Sequence, residues 1–257
     1  MKVVISGYFG FDNAGDEAIL EAMLAELRAL RPDVRPVVLS GDPSATEARF
    51  DVEAVPRLSV PAVLRALRGA SLFISGGGSL LQDATGWGSV PYYAGLMRLA
   101  GHMGVPVFVY AQGIGPLRRR PLRALAQRAL IAAAEITVRD RQSYETLRKM
   151  GVPEDKMTVT ADPVFGLALG DGGRPGTERS KRAAYAAPGR HASCLSSIVP
   201  DGPLIGIALR PLPSRSELAD DAVAEAVAAA LGPRLARWGA AAVLVPLHRS
   251  RDDAVLE

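Results

Sequence analysis

The sequence predicts an α/β protein with a parallel β-sheet, and three observations support that fold class. Short apolar runs alternate with longer segments of helical periodicity from the first residue onward. The apolar runs are β-branched or continuously apolar, as strands buried on both faces of a parallel sheet usually are. Composition agrees, since 257 residues with 48% hydrophobic and 22% charged side chains can bury a substantial core. Strands alternating with helices form right-handed β-α-β units and hence a sheet covered on both faces.

The first 169 residues contain six predicted strands and at least four predicted helices. The strands are Val3–Ser6, Pro36–Ser40, Leu72–Ser75, Val105–Ala111, Ile136–Val138 and Met157–Thr160. Apolar residues recur at helical spacing in three segments: Ile19, Met23, Leu27 and Leu30; Tyr93, Leu96, Met97 and Ala100; and Leu122, Leu125, Ala129 and Ala132. A fourth helix is predicted to end at Met150, because Gly151 suits the left-handed residue that follows a helix.

A change of composition after residue 169 predicts a domain boundary. Residues 1–169 form the predicted Rossmann-like N-terminal domain, and residues 170–203, rich in Gly, Pro, Ser, Arg and Ala, form a predicted linker or flexible loop. The pattern restarts in residues 204–257 with a strand, a helix and a strand at Leu204–Leu209, Asp220–Trp238 and Ala241–Leu247. A single β-α-β unit cannot cover both faces of a sheet. We therefore expect the second domain to be incomplete at Glu257.

The charge balance and the single cysteine exclude several classes of function. A net charge of +3, dispersed along the chain, argues against nucleic-acid binding. Cys194 alone forms no intrachain disulfide and no cysteine metal cluster, and it is typical of a reducing compartment. The N-terminus lacks a signal-peptide pattern, and no apolar run is long enough to span a membrane. We expect a cytoplasmic protein without a metal, and peripheral attachment to a membrane stays open.

The first glycine cluster, Gly7–Glu17, lies between the first strand and the first helix. Its glycines let a ligand approach the backbone, and the start of a helix offers free amide donors. Asn13 and Asp16 are candidates for binding hydroxyl groups, whereas Asp16 has the alternative role of capping the helix. The spacing matches neither a phosphate-binding Walker A loop nor the dinucleotide fingerprint.

Three further clusters follow predicted strands, so they are expected at the same carboxyl edge of the sheet. Three consecutive glycines are unfavourable after a buried strand unless something approaches their backbone, and a tight turn is the alternative. Gln112 offers both a donor and an acceptor to a sugar hydroxyl. Arg139 lies beside Asp140, where an internal ion pair is the alternative, and Asp162 is read as a turn residue. The candidate binding residues in these clusters are Gly76, Gly77, Gly78, Ser79, Gln82, Asp83, Gln112 and Arg139.

In this order and spacing the clusters resemble the polysaccharide pyruvyl transferases, of the kind that ketalate N-acetylmannosamine in bacterial secondary cell-wall polymers. The resemblance covers nearly all of residues 1–169 and resumes at Gly206–Pro211. It is carried by Gly7–Leu20, Gly76–Asp83, Tyr110–Pro116, Ile136–Ser143 and Thr160–Phe165. The resemblance implies a GT-B-like fold, in which two Rossmann-like domains face each other across a cleft. It also implies phosphoenolpyruvate as donor substrate, a lipid-linked or polymer-bound amino sugar as acceptor, and no cofactor.

The same resemblance implies roles for individual residues. The acceptor sugar would be held by the glycine clusters together with Asn13, Asp16, Gln82, Asp83 and Gln112. Asp16 and Arg210 are the candidate catalytic residues. Arg139 would lie at the cleft, and Arg210, at a predicted strand end, resembles an arginine that binds the donor's anionic groups. The chemistry also needs a general acid, for which histidine is suited. In the family this histidine lies deep in the second domain, beyond Glu257; His248 is a weaker candidate.

Two other functions are compatible with the same sequence features. A glycosyltransferase of the same two-domain shape would need a nucleotide site in its second domain. A non-catalytic sugar-binding protein would keep the acceptor side and lack the donor side. A purely structural Rossmann domain leaves the three consecutive glycines unexplained.

Overall fold

The computed structural model describes residues 1–83, 86–167, 204–207, 220–238 and 241–244. The chain divides into two compact units, Met1–Leu167 and Ala168–Glu257. The predicted linker, residues 170–203, lies outside the described residues, so the predicted domain boundaries stay a prediction.

The first unit contains one parallel sheet of seven strands. They are β1 (Lys2–Ser6), β2 (Arg35–Ser40), β3 (Glu53–Pro56), β4 (Leu72–Ser75), β5 (Val107–Gln112), β6 (Glu135–Val138) and β7 (Met157–Val159). Their order is β3-β2-β1-β4-β5-β6-β7, and every neighbouring pair is parallel. The direction in which strands are added reverses between β1 and β4. At such a switch point the flanking loops diverge at the carboxyl ends of the strands and form a crevice.

Six helices connect these strands. They are α1 (Ala14–Leu30), α2 (Pro43–Phe50), α3 (Val60–Leu67), α4 (Ser89–His102), α5 (Arg120–Ile131) and α6 (Arg141–Lys149). Two short 3-10 helices, Glu154–Lys156 and Pro163–Gly166, flank β7. Helix α6 ends as predicted, because Gly151 adopts a left-handed φ of 78°.

The core lies on both faces of the sheet, which is why the central strands are apolar at consecutive positions. Successive side chains of a strand point to opposite faces. Val3 and Ile5 therefore belong to the core on the face covered by α1, whereas Val4 belongs to the core on the other face, to which α3, α4, α5 and α6 contribute. Helix α1 contributes Ile19, Leu20, Met23 and Leu24 to the same core as Val3 and Ile5. Each fully buried aliphatic side chain stabilises the fold by roughly 1.5–3 kcal/mol.

The sequence prediction omitted three elements between residues 41 and 69, namely α2, β3 and α3. β3 is short, lies at the edge of the sheet and ends in Pro56, all of which weaken a strand pattern. Helix α2 did carry a start signal, since the Asp42 side chain accepts a hydrogen bond from the Ala45 N–H and Pro43 follows the cap. β5 was predicted two residues too early, because Pro106 has no N–H to give to the sheet.

The second unit contains a β-α-β sequence, as predicted. β8 (Leu204–Ile207) pairs in parallel with β9 (Ala241–Leu244), and α7 (Asp220–Trp238) lies between them in the chain. The last residues of both predicted strands, 208–209 and 245–247, lie outside the described residues.

Candidate functional site

The loop after β1 leads directly into α1, and Asn13 caps that helix. Its Oδ1 accepts hydrogen bonds from the backbone N–H groups of Gly15, at 3.1 Å, and of Asp16, at 3.4 Å. The sequence left open whether Asp16 was the cap, and the structure assigns that role to Asn13. Asp16 therefore lies in the first turn of α1, half-buried, where the positive end of the helix dipole favours a carboxylate.

Asp16 meets the loop after β4 at the switch point of the sheet. A Cβ atom placed on Gly78 would lie only 2.9 Å from Asp16 Oδ1. Gly78 also has a φ of 73°, in the left-handed region that disfavours other residues. Both the backbone conformation and the close approach of a carboxylate therefore require glycine at this position.

The two preceding glycines have a packing role. A Cβ atom on Gly77 would lie 2.5 Å from Ile19 Cγ2, and one on Gly76 would lie 2.7 Å from Met23 Cε. Both glycines are buried, so they let the loop after β4 pack tightly on α1. This packing explains the need for glycine by itself, and ligand binding by Gly76 and Gly77 stays a prediction.

The end of β5 is strained. Ala111 has a φ of 45°, and the register with β6 shifts between Val109 and Gln112. The Ala111 N–H donates to Thr137 Oγ1 at 2.7 Å, which helps to hold this conformation. Bulges and left-handed non-glycine residues are enriched near functional sites, where they redirect a side chain.

The redirected side chain is that of Gln112, which is fully buried. Its Nε2 donates to Ser75 Oγ at 2.8 Å and to the Ser75 carbonyl oxygen at 3.3 Å. Gln112 Oε1 has no hydrogen-bond partner among the described residues. Gln112 thus ties β5 to β4 beneath the carboxyl edge, and its contact with a sugar hydroxyl stays a prediction.

Arg139, directly after β6, joins several loops at the same edge. Its guanidinium forms an ion pair with Asp162 Oδ2 at 2.9 Å and donates to Ser79 Oγ at 3.1 Å. Asp140 is more distant, at 3.9 Å, and caps α6 instead. The ion pair expected as the alternative role of Arg139 is therefore present, mainly with Asp162. Because 32% of the Arg139 side chain stays exposed, a ligand can still reach it.

Asp83 and Gln82 brace the loop after β4 against the loop after β5. Asp83 Oδ2 accepts a hydrogen bond from the Arg119 backbone N–H at 2.7 Å, and this bond lowers the pKa of Asp83. Gln82 packs so closely on Gly115 that a Cβ there would lie 2.5 Å from Gln82 Cβ. These contacts are structural, and direct binding of substrate by either residue stays a prediction. Arg210, the remaining predicted site residue, lies outside the described residues, as does His248.

Sequence reasoning missed Arg57, which directly follows β3. Its guanidinium carbon lies 4.2 Å from the ring centre of Tyr92, 5.2 Å from that of Phe11 and 5.5 Å from that of Tyr93. The three rings come from the loop after β1 and from α4. An arginine directly after a strand is the sequence feature that could have identified it. That feature was not recognised because β3 itself was not predicted.

Glu17 is a second residue that the sequence did not single out. Its side chain is buried, and its Oε1 accepts a hydrogen bond from the Gly10 N–H at 2.8 Å. Burial raises the pKa of Glu17, although the Gly10 hydrogen bond and the charge of Arg49 oppose that increase. Glu17 lines an open cavity of about 320 Å³ between the loop after β1 and α2.

Replacing Glu17 with glutamine should change how stability depends on pH. A carboxyl group whose pKa is higher in the folded than in the unfolded protein lowers the free energy of unfolding when it ionises in the unfolded chain. For Glu17 this loss grows as the pH rises above about 4.5. Relative to Glu17→Gln, the wild type should lose free energy of unfolding between about pH 4 and about pH 7. Denaturant unfolding at both pH values measures the difference. Glu21→Gln, an exposed change on the same helix, should show no such pH dependence, and equal behaviour of the two variants would contradict the assignment.

The described ranges offer neither a metal centre nor a membrane span. No group of three His, Cys, Asp or Glu side chains within those ranges is placed to hold a metal ion. None of the helices that the structure describes is both long and apolar enough to cross a membrane.

Comparison with known proteins decides the family. A family model described as polysaccharide pyruvyl transferase matches residues 13–217. The chain belongs to that family. The match begins at the cap of α1 and includes every predicted site residue, among them Arg210. The resemblance inferred from the glycine clusters is confirmed. None of the curated proteins compared with the chain gives a significant match.

Solved structures support the fold class. The UDP-GlcNAc 2-epimerase from Methanocaldococcus jannaschii is similar with a TM-score of 0.62 at 11% identity, covering 100% of this chain and 69% of that protein. The UDP-GlcNAc 2-epimerase from Neisseria meningitidis, solved with UDP-GlcNAc bound, has a TM-score of 0.57 at 12% identity, covering 95% of this chain and 65% of that protein. The chain thus spans about two thirds of their length. The predicted α/β, GT-B-like fold class is confirmed, and identities this low show the fold alone.

Proposed function

We propose that this protein transfers the pyruvyl group of phosphoenolpyruvate to an amino sugar of a cell-wall polysaccharide, N-acetylmannosamine, and forms a cyclic ketal. Membership of the polysaccharide pyruvyl transferase family supports this reaction class. The structural observation that carries the proposal is the Asp16 carboxylate, held at the switch point against the loop after β4. A carboxylate at this edge can bind sugar hydroxyl groups and take a proton from one of them.

The reaction has a simple balance of atoms. Two sugar hydroxyl oxygens form bonds to the central carbon of phosphoenolpyruvate, and the bond from that carbon to the phosphate oxygen breaks. One of the two hydroxyl protons is balanced by the proton added to the methylene carbon, which becomes a methyl group. The other proton leaves with the phosphate. The enzyme must therefore supply a base near the sugar, an acid near the methylene carbon and cations for the phosphate and carboxylate groups.

Asp16 is the proposed base, and Arg139 is a proposed cation. Asp16 lies on a helix start whose dipole stabilises its charge. Arg139 is fixed by Asp162 and Ser79 in one orientation, which lowers the entropy lost when a ligand binds. Arg210 is the proposed partner of the donor's anionic groups, by resemblance to the family. Planar guanidinium groups suit both phosphate and carboxylate oxygens.

The general acid is not assigned to a described residue. His102, the one histidine in the described ranges, ends α4, and its Nδ1 lies 2.8 Å from the Arg98 carbonyl oxygen. That end of α4 leads into the start of β5, on the opposite edge of the sheet from Asp16. His102 therefore does not serve as the acid.

The partners follow from the proposed reaction. They are phosphoenolpyruvate and a lipid-linked or polymer-bound acceptor. The proposed location of the reaction is the cytoplasm, which agrees with the predicted absence of disulfides. The alternative, a glycosyltransferase using a nucleotide sugar, rests on the fold class alone, because the similar structures described above are UDP-GlcNAc 2-epimerases at 11–12% identity. No contact in the described residues favours it.

A phosphate-release assay tests the proposal. The full-length protein should release phosphate from phosphoenolpyruvate when an N-acetylmannosamine-containing acceptor is present, and not when the acceptor is omitted. UDP-N-acetylglucosamine offered in place of phosphoenolpyruvate should give no product. Acceptor-independent release, or no release with any of several amino-sugar acceptors, would contradict the transferase assignment.

A further inference from the structure

Arg57 lies at the carboxyl edge of the sheet with its backbone fixed on two sides. Its N–H donates to the Ser40 carbonyl oxygen at 2.9 Å, and its own carbonyl oxygen accepts from the Tyr92 hydroxyl at 3.0 Å. The side chain is half-buried against the rings of Phe11, Tyr92 and Tyr93. Phe11 is itself held by Tyr8, whose ring stacks on it at 4.2 Å and an interplanar angle of 11°. The guanidinium therefore has a defined position, set by three aromatic side chains, one of which is held by Tyr8.

The charge of Arg57 is not neutralised within the part of the chain that the structure describes. No carboxylate there lies within ion-pair distance of its guanidinium, in contrast to Arg139, which pairs with Asp162. Aromatic faces attract a cation but accept no strong hydrogen bonds, so the five N–H donors of the guanidinium keep most of their capacity. Half-buried charges are usually paired, because removal from water is costly. An incoming anion would offset that cost.

Arg57 and Asp16 both lie at the carboxyl edge of the sheet, and the loop after β1 connects them. Phe11 of this loop packs against Arg57, and the loop leads into the first turn of α1, which carries Asp16. Burial raises the pKa of Tyr93 to about 12, and the positive charge of Arg57 opposes that increase. The Tyr93 hydroxyl is buried and has no partner at hydrogen-bonding geometry among the described residues. A cation and a carboxylate thus lie at the two ends of one short loop at the carboxyl edge. A ligand between them can place hydroxyl groups at Asp16 and an anionic group at Arg57.

We propose that Arg57, in its cradle of Phe11, Tyr92 and Tyr93, is the binding subsite for a phosphate group of a substrate bound at Asp16. The inference rests on the proposed function only for the identity of that substrate. Two sources of phosphate are available in the proposed reaction: a phosphate that links the acceptor sugar to its carrier, and the phosphate of phosphoenolpyruvate. The planar fork of the guanidinium suits either one.

Binding measured without turnover tests the subsite. Isothermal titration of the full-length protein uses four probes: inorganic phosphate, phosphoenolpyruvate, N-acetylmannosamine 1-phosphate and neutral N-acetylmannosamine. Arg57→Gln should weaken binding of at least one phosphorylated probe about 10- to 100-fold, as expected for the loss of a charged hydrogen-bonding partner. Arg57→Lys, which keeps the charge but not the fork, should give an intermediate loss. Neutral N-acetylmannosamine should bind equally well to all variants.

Arg98→Gln is the matched control, since it removes an exposed arginine from the helix that carries Tyr92 and Tyr93. Thermal unfolding of each variant confirms that it is folded. A loss confined to the sugar phosphate identifies the acceptor as the source, and a loss confined to phosphoenolpyruvate identifies the donor. Equal binding of every phosphorylated probe to Arg57→Gln and Arg98→Gln overturns the proposal, as does an equal loss for the neutral sugar. A protein that binds phosphate through Arg57 but forms no ketal would contradict the proposed function and leave this subsite intact.

Discussion

Replacing Asp16 with asparagine should lower kcat for ketal formation about 10²- to 10⁴-fold, the usual contribution of a positioned general base. Asparagine has the same shape, so it keeps the fit against Gly78, but it cannot accept the proton that a sugar hydroxyl must lose. KM for the acceptor should change much less than kcat, because the amide still hydrogen-bonds hydroxyl groups. Steady-state assays with varied acceptor concentrations separate the two parameters.

The control for this variant lies on the same helix. Glu21→Gln removes an exposed carboxylate of α1 and should leave kcat unchanged. The Asn13 cap is intact in both variants, so neither should lose the start of α1. If Asp16→Asn raises KM strongly and leaves kcat at its original value, Asp16 binds the acceptor and is not the base.

Replacing Gly10 with alanine should cause the largest loss of stability among single changes in the loop after β1. Gly10 has a φ of 73°, and a Cβ atom there would lie 2.1 Å from Ser40 Oγ and 2.5 Å from the Asp42 backbone nitrogen. The left-handed conformation costs about 1–2 kcal/mol for a residue with a Cβ. Displacement of a packed backbone atom adds about 1–3 kcal/mol. Chemical denaturation should therefore show a loss of about 2–5 kcal/mol in the free energy of unfolding.

Alanine substitutions at two other glycines distinguish the conformational cost from the packing cost. Gly69 has a nearly identical φ of 71°, but no atom lies within 4 Å of the position that a Cβ would take, so Gly69→Ala should lose only the conformational part, about 1–2 kcal/mol. Gly95 lies in the middle of α4 with open space around it, so Gly95→Ala should stabilise the protein by roughly 0.5–1 kcal/mol. Equal losses for Gly10→Ala and Gly69→Ala would show that the loops after β1 and β2 do not pack as closely as described.

The part of the fold that repeated apolar runs and helical spacing encode was predictable from the sequence. The strands around Val3 and Leu72 are buried on both faces, so their apolar pattern is strong and local. The prediction failed between residues 41 and 69 for the opposite reason. β3 pairs on one side only and spans four residues, Glu53–Pro56, and so short an edge strand has no local sequence pattern that distinguishes it from a loop.

The candidate site was predictable at the level of loops and not of contacts. Parallel topology alone placed Asp16, Gly78, Gln112 and Arg139 at one edge of the sheet. Their individual partners depend on segments far apart in the chain, such as the loop around Asp162 for Arg139 or the bulge that buries Gln112. Arg57 shows this limit most clearly, since its three rings come from residue 11 and residues 92–93.

Formation of a pyruvate ketal on the acceptor is the reaction proposed for the carboxyl edge of the sheet that carries Asp16. The most direct measurement is mass spectrometry and carbon NMR of the acceptor after incubation of the full-length protein with ¹³C-labelled phosphoenolpyruvate. We expect an N-acetylmannosamine residue that carries the labelled carbons as a ketal bound through two oxygens, together with release of phosphate. Asp16→Asn should give a sharply reduced yield. A labelled product attached through a single oxygen, an unlabelled acceptor despite phosphate release, or an undiminished yield with Asp16→Asn would contradict it.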